Sequence, residues 1–191
     1  MVVRPRLSAY LQMRRDELEQ LGIQLPVLAT VALGGLPGAP DWAAKLVSIG
    51  VDVISSGALS DTPETFAAAV AAAPHRAVKA TSPEDPAALV AAGARIIETT
   101  RVLPAGIYRL SPDEAMVVVI DGRNPEVEDP NVAARVIVDA TDDVVPSALW
   151  VVSSPGLETL PVELAEQKLR ALCECAYRAR LVFAKQQFEP E

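Results

Sequence analysis

From Leu25 onward the chain alternates short β-branched apolar runs with Ala-rich stretches of helical periodicity, the pattern of a parallel sheet covered by helices. It predicts strands at about 27–33, 51–56, 76–80, 94–99, 116–121 and 148–153. Helices are predicted between them from Trp42 to Ile49, Pro63 to Ala73, Pro83 to Ala92 and Pro130 to Ala140. Three of these helices start beside a proline that follows a capping side chain, in Asp61-Thr-Pro-Glu, Ser82-Pro-Glu and Asp129-Pro. Proline tolerates the first helical turn because its missing N–H has no partner there anyway.

At the N-terminus Leu7, Tyr10, Leu11, Leu18 and Leu21 recur at helical spacing and Gly22 closes the run. Residues 1–24 therefore read as a helical arm, packed across the end of the domain or on a partner, and residues 25–191 as a single α/β domain. A last helix, from about Pro161 to Lys185, aligns Leu164, Leu169, Leu172, Ala176, Ala179 and Phe183 along one side. That long stripe calls for a covering surface, and an intermolecular one is expected. Leu103 to Pro112 is the longest loop candidate.

Length changes the picture. A complete eight-stranded barrel typically takes ~250 residues, whereas this chain has 191 and spends some of them on the arm. It holds about six strands, enough for a shortened, (β/α) TIM-barrel-like domain whose open edges a second copy would cover. A homodimer is expected. The formal charge of -8 excludes a nucleic-acid partner. Arg4, Arg6, Arg14 and Arg15 form the only dense basic groups and read as the solvated face of a helix. No run approaches the ~18 apolar residues of a bilayer span, and the first residues lack the apolar core of a signal peptide, so a cytoplasmic protein without membrane contact is expected. Cys173 and Cys175 project about 200° apart on the predicted helix, which suits neither a disulfide nor a shared metal.

Candidate chemistry gathers where polar residues stand at or just past the apolar runs: Thr30, Ser55, Ser56, Lys79, Glu98 with Arg101, Asp121 with Arg123 and Asn124, and Ser153 with Ser154. In barrels such strand ends surround one pocket. Each also has a plain structural reading. Ser55, Ser153 and Ser154 can cap helices or bond turns, and Asp121 can accept N–H bonds from its own Gly122-Arg123 turn. Gly34-Gly35-Leu36-Pro37-Gly38 follows a strand but matches no phosphate-cradling motif, and no G-x-S-x-G elbow occurs.

The run Leu149-Trp-Val-Val-Ser-Ser-Pro-Gly-Leu-Glu-Thr-Leu160, continuing through Pro161 to Leu172, resembles the last βα unit of the catalytic domain of cobalamin-independent methionine synthases. Val117-Val-Val-Ile-Asp-Gly-Arg-Asn-Pro-Glu-Val-Glu-Asp-Pro-Asn-Val-Ala-Ala-Arg135 is similar to the penultimate unit, Gly93 to Glu98 to the strand ending in a metal-binding glutamate, and Leu28 to Pro37 loosely to the first strand. The resemblance implies methyl transfer from a methyl-folate to a thiol held on zinc. The family's zinc-binding cysteine precedes the glycine of the last turn, where this chain has Pro155 before Gly156, and the family's His-x-Cys strand reads Arg76-Ala-Val-Lys-Ala80.

Of the implied ligands only Glu98 is present, and the sole histidine, His75, stands at the opposite strand end. No metal and no cofactor are therefore expected; Lys79 or Arg101 is expected to serve as a replacement cation, with Lys79 pairing with Glu98 or Asp121 across the strand ends. Two functions follow. One is a degenerate relative of folate-dependent methyltransferases that binds a small acidic or pterin-like ligand among Lys79, Glu98, Arg101, Asp121, Arg123, Asn124, Ser153 and Ser154. The other is a non-catalytic module that associates with itself, with a methyltransferase or with a corrinoid protein.

Overall fold

A computed structural model describes residue 20 and residues 28–39, 41–72, 77–81, 86–94, 96–98, 104–140 and 146–188. The expected arm, apart from Gln20, lies outside the described residues. Seven strands occur in chain order as β1 (Ala29–Ala32), β2 (Val53–Ile54), β3 (Ala77–Thr81), β4 (Ile96–Glu98), β5 (Gly106–Ser111), β6 (Glu114–Ile120) and β7 (Leu149–Ser153). Five helices accompany them: α1 (Trp42–Ile49), α2 (Pro63–Ala72), α3 (Pro86–Ala91), α4 (Pro130–Asp139) and α5 (Val162–Phe188).

The strands form one mixed, mostly parallel sheet in the order β4-β3-β2-β1-β7-β6-β5. The first strand lies at the centre, parallel to β2 on one side and to β7 on the other. The described sheet is not closed; β4 and β5 are its ends. Two expectations are corrected here. The stretch read as a loop contains β5, a strand antiparallel to β6 and joined to it through Pro112-Asp113, so the sheet is not wholly parallel. The apolar stripe of α5 is covered within the chain: Leu169, Leu172, Ala176, Ala179 and Phe183 are buried in the main core, against α4 and the sheet. It leaves no intermolecular surface to explain.

The main core fills the layer between the helices and one face of the sheet, from Leu28, Ala32 and Ile54 to Val117, Val119, Leu149 and Val151. Period-2 alternation sends the neighbouring residues Val31, Leu33, Val53, Val118 and Val152 to the other face, where Tyr108, Met116 and Trp150 pack on them. No described helix is long and apolar enough to cross a membrane. The 27-residue α5 spans about 40 Å, yet it carries Lys, Arg and Glu along its exposed side.

Candidate functional site

The polar candidates fall into two groups. The first surrounds the exit of β1. Register places Val31 beside Val53, and Val53 beside Ala77, so β2 ends at Ile54, level with Ala32 at the end of β1, and the Ala32–Leu33 peptide lies at the edge of the paired stretch. Lys79, fully buried, reaches over from β3 and donates from Nζ to the Ala32 carbonyl at 2.5 Å. Across the same peptide unit, Leu33 N donates to the buried Ser153 Oγ at 3.3 Å. A trans peptide aims its C=O and N–H in opposite directions, so side chains from β3 and β7 hold this one unit from both sides. Lys79 is thus a mid-strand residue, two positions short of the end of β3.

Ser55, just past β2, is also buried, and its Oγ has no hydrogen-bond partner among the described residues. Ser56 Oγ donates to the buried Asp61 Oδ1 and accepts from Ala58 N at 3.1 Å, which fixes the loop leading to α2. Thr30 is a correction: it sits inside β1, and its hydroxyl donates to Asp52 Oδ2 at 2.8 Å and accepts from Asp52 N at 3.0 Å, before β2 begins. Glu98 ends β4 beside Thr81 of β3. Its side chain, and the whole of Arg101, lie outside the described residues, and so does the expected pairing with Lys79.

The second group is built by the loops after β6 and β7. Asp121 Oδ1 accepts from Arg123 N at 3.0 Å, closing the turn, and Asn124 Oδ1 accepts from Glu126 N at 2.9 Å. Ser154 Oγ accepts from Gly122 N at 2.9 Å. The two loops touch so closely that a Cβ on Gly122 would stand 2.5 Å from the Ser154 carbonyl oxygen and 3.0 Å from Leu157 N. Gly156, at φ +130°, holds a conformation that favours glycine, with Arg123 packed over it.

Glu128 and Lys168, which the sequence reading did not single out, complete this group. Lys168 is fully buried and donates from Nζ to both Glu128 carboxylate oxygens at 2.9 Å and to the Glu126 carbonyl at 2.5 Å. Glu128 Oε1 also accepts from Asp121 N at 2.8 Å, so one carboxylate ties the β6 loop to α5. A signal was present: Lys168 falls in the buried stripe of α5, between Ala165 and Leu172, where an unpaired ammonium would be costly. The structure therefore brings Asp121, Arg123, Asn124 and Ser154 together at one loop pair, and Lys79 and Ser153 at one peptide.

A zinc ion of the kind the resemblance implies does not fit these residues. Soft nitrogen and sulfur donors are what such a site needs, and the residues at the described strand ends are hydroxyls, carboxylates, an amide and a lysine. Among the described residues no three His, Cys, Asp or Glu side chains cluster to hold a metal. Both cysteines lie on α5. Burial pushes the Cys175 thiol up to about 12, with Cys173 beside it acting in the same direction. It is a protonated core residue rather than a ligand or nucleophile.

No protein-family model matches the chain, and no curated protein matches it. Among solved structures it is similar to a B12-independent methionine synthase from Shewanella sp. W3-18-1 in complex with selenomethionine, at 15% identity and a TM-score of 0.32. That likeness covers 95% of this chain and 48% of the other, so the chain spans about half the length of the synthase.

Proposed function

We propose that the chain is a non-catalytic association domain, acting as a cytoplasmic homodimer, on a frame of the methionine synthase type. The observation that carries this reading is how the strand-end polar groups are used. Lys79 and Ser153 hold the β1 exit, Ser154 and Glu128 bind the backbone of the β6 loop, and Asp121 and Asn124 close their own turns. Hydrogen bonds already made to the fold must be broken before such groups can serve a substrate. The strand order supports the frame: β1 lies between the second strand and the last, as in a barrel where first and last strands meet, and the interruption falls between β4 and β5. A methyltransferase or a corrinoid protein is the heterologous partner on this reading.

The test is methyl transfer from methyl-folate to homocysteine by the purified chain, with zinc measured by elemental analysis. No turnover and no stoichiometric zinc are expected. Turnover that disappears in Glu98→Ala would overturn the reading.

A second reading rests on Ser55, whose hydroxyl is buried without a partner among the described residues. A small acidic or pterin-like ligand at the strand ends would supply one. Thermal stabilisation by folic acid that is lost in Ser55→Ala would favour it; identical melting of both proteins with and without folic acid would remove it.

A further inference from the structure

A groove of about 570 Å³ runs between α4 and α5 on the helical side of the molecule, away from the strand-end groups. Its apolar lining is Ala134, Val138, Leu181 and Val182; Arg135 and Asp139 stand on its α4 rim, and Asn131 and Arg178 also line it, with Arg178 bonded to Asn131 and Glu174. Beside it, Val132 and Val136 project from the same helix at 59% and 39% exposure, and Val182 of α5 is 41% exposed. One turn apart, the two α4 valines form a ridge next to a trough of similar chemistry.

The charges on the rim indicate the occupant. Arg135 and Asp139 are exposed and four residues apart, yet they form no ion pair with each other or with any other described residue. An acid placed after its base is the weaker orientation within one helix. Between two antiparallel copies the same spacing is self-complementary. A two-fold axis at the level of Ile137 sets Arg135 opposite Asp139 of the second copy and repeats the pair on the other side, as an isologous contact requires.

We propose that this groove is a self-docking site, in which a second copy of the chain lays the Val132 and Val136 ridge of its α4 antiparallel into the trough. The proposal rests on the association reading above and names its surface. The helix of each copy fills the groove of the other, so four helices pack around the axis and the exposed valines leave water.

The deciding experiment is sedimentation equilibrium of the full chain across the micromolar range, with single and double charge reversals. The wild-type chain is expected to dimerise. Arg135→Glu or Asp139→Arg alone sets like charges opposite each other twice and should raise the dimer dissociation constant by about tenfold or more. The double variant Arg135→Glu/Asp139→Arg restores both pairs and should return to within about threefold of wild type if the two sites couple only with each other. Both residues are exposed, so an unchanged circular dichroism spectrum would show each variant folded. A monomeric wild-type chain, or a dimer indifferent to all three variants, overturns the proposal. The indifferent dimer would leave the association reading standing, whereas methyl-transfer turnover would sink that reading without touching the charge-swap result.

Discussion

The two flanks of β1 are built differently. On the β7 and β6 side the strands run five and seven residues, their βα loops interlock through Gly122 and Gly156, and a buried lysine anchors the β6 loop to a 27-residue helix. On the other side β2 contributes only two residues, and a lysine reaches from β3 to the β1 carbonyl of Ala32. Both flanks bury an ammonium. In one it binds a carboxylate and the Glu126 carbonyl; in the other it donates to the Ala32 carbonyl. The β6–β7 flank is therefore the stable frame, and the β2–β4 flank is tied to it through β1.

The largest effect should come from Lys168. Lys168→Ala leaves Glu128 without its cation; because Glu128 keeps a side-chain exposure of 21%, the cost belongs at the lower end for a broken buried pair, about 3 kcal/mol. Lys168→Met/Glu128→Gln should recover part of it. Urea unfolding measures both, and a Lys168→Ala loss below about 1 kcal/mol would mean that this flank is not held as described.

Gly122→Ala comes next. Its new methyl meets backbone atoms rather than a flexible side chain, so two loops must separate, at about 2–3 kcal/mol. Hydrogen exchange should quicken at Ser154 and Leu157 before it does so in β2. Uniform quickening would argue against interlocked loops as a distinct unit.

Lys79→Met should cost less, about 1–2 kcal/mol, for the loss of its bond to the Ala32 carbonyl. The comparison of the flanks requires Lys168→Ala to be the more damaging of the two. The reverse order would make the β2–β4 flank the frame. A Lys79 and Glu98 double-mutant cycle sharpens the point: appreciable coupling would place the carboxylate at the lysine, and none would leave the Ala32 carbonyl as the contact that matters.

What the sequence made legible follows from the same contrast. The α4 start was readable because Asp129-Pro130 is local chemistry, and Asp129 Oδ1 does accept from Asn131 N at 2.8 Å. At the α2 start the motif also holds: Thr62, beside Pro63, accepts through Oγ1 from Thr65 N at 3.3 Å, while Asp61 turns back to Ser56. Strand β5 was hidden because Gly106, Pro104 and Pro112 are turn signals and Ile107 and Leu110 break strict alternation, both lying exposed on an edge strand. Closure of the sheet depends on which distant strands pair, and no local pattern encodes that. Among the site residues, Asp121 was foreseeable as a turn acceptor from its own tetrapeptide. The Lys79 and Ser153 contacts were not, because they meet at a peptide supplied by a third strand.

The smallest effect concerns pH, and it tests how dry the α5 side of the frame is. Burial raises the folded-state Cys175 thiol to about 12, so the unfolded chain loses this proton near pH 9 while the folded chain keeps it. Between those values the unfolded state binds fewer protons, and stability must fall as pH rises, by about 1.4 kcal/mol at pH 10 for this group alone. Below about pH 8 both states are protonated and the thiol adds almost no pH dependence. Urea unfolding of wild type and Cys175→Ala at pH 8, 9 and 10 isolates the term, since other groups titrating in that range are common to both proteins. The gap in stability between the two should shift in favour of Cys175→Ala by about 0.4 kcal/mol from pH 8 to 9 and by about 1 kcal/mol more by pH 10. Parallel curves through pH 10 would mean that the thiol ionises in the folded chain, and that water reaches the layer between α5 and the β6–β7 strands.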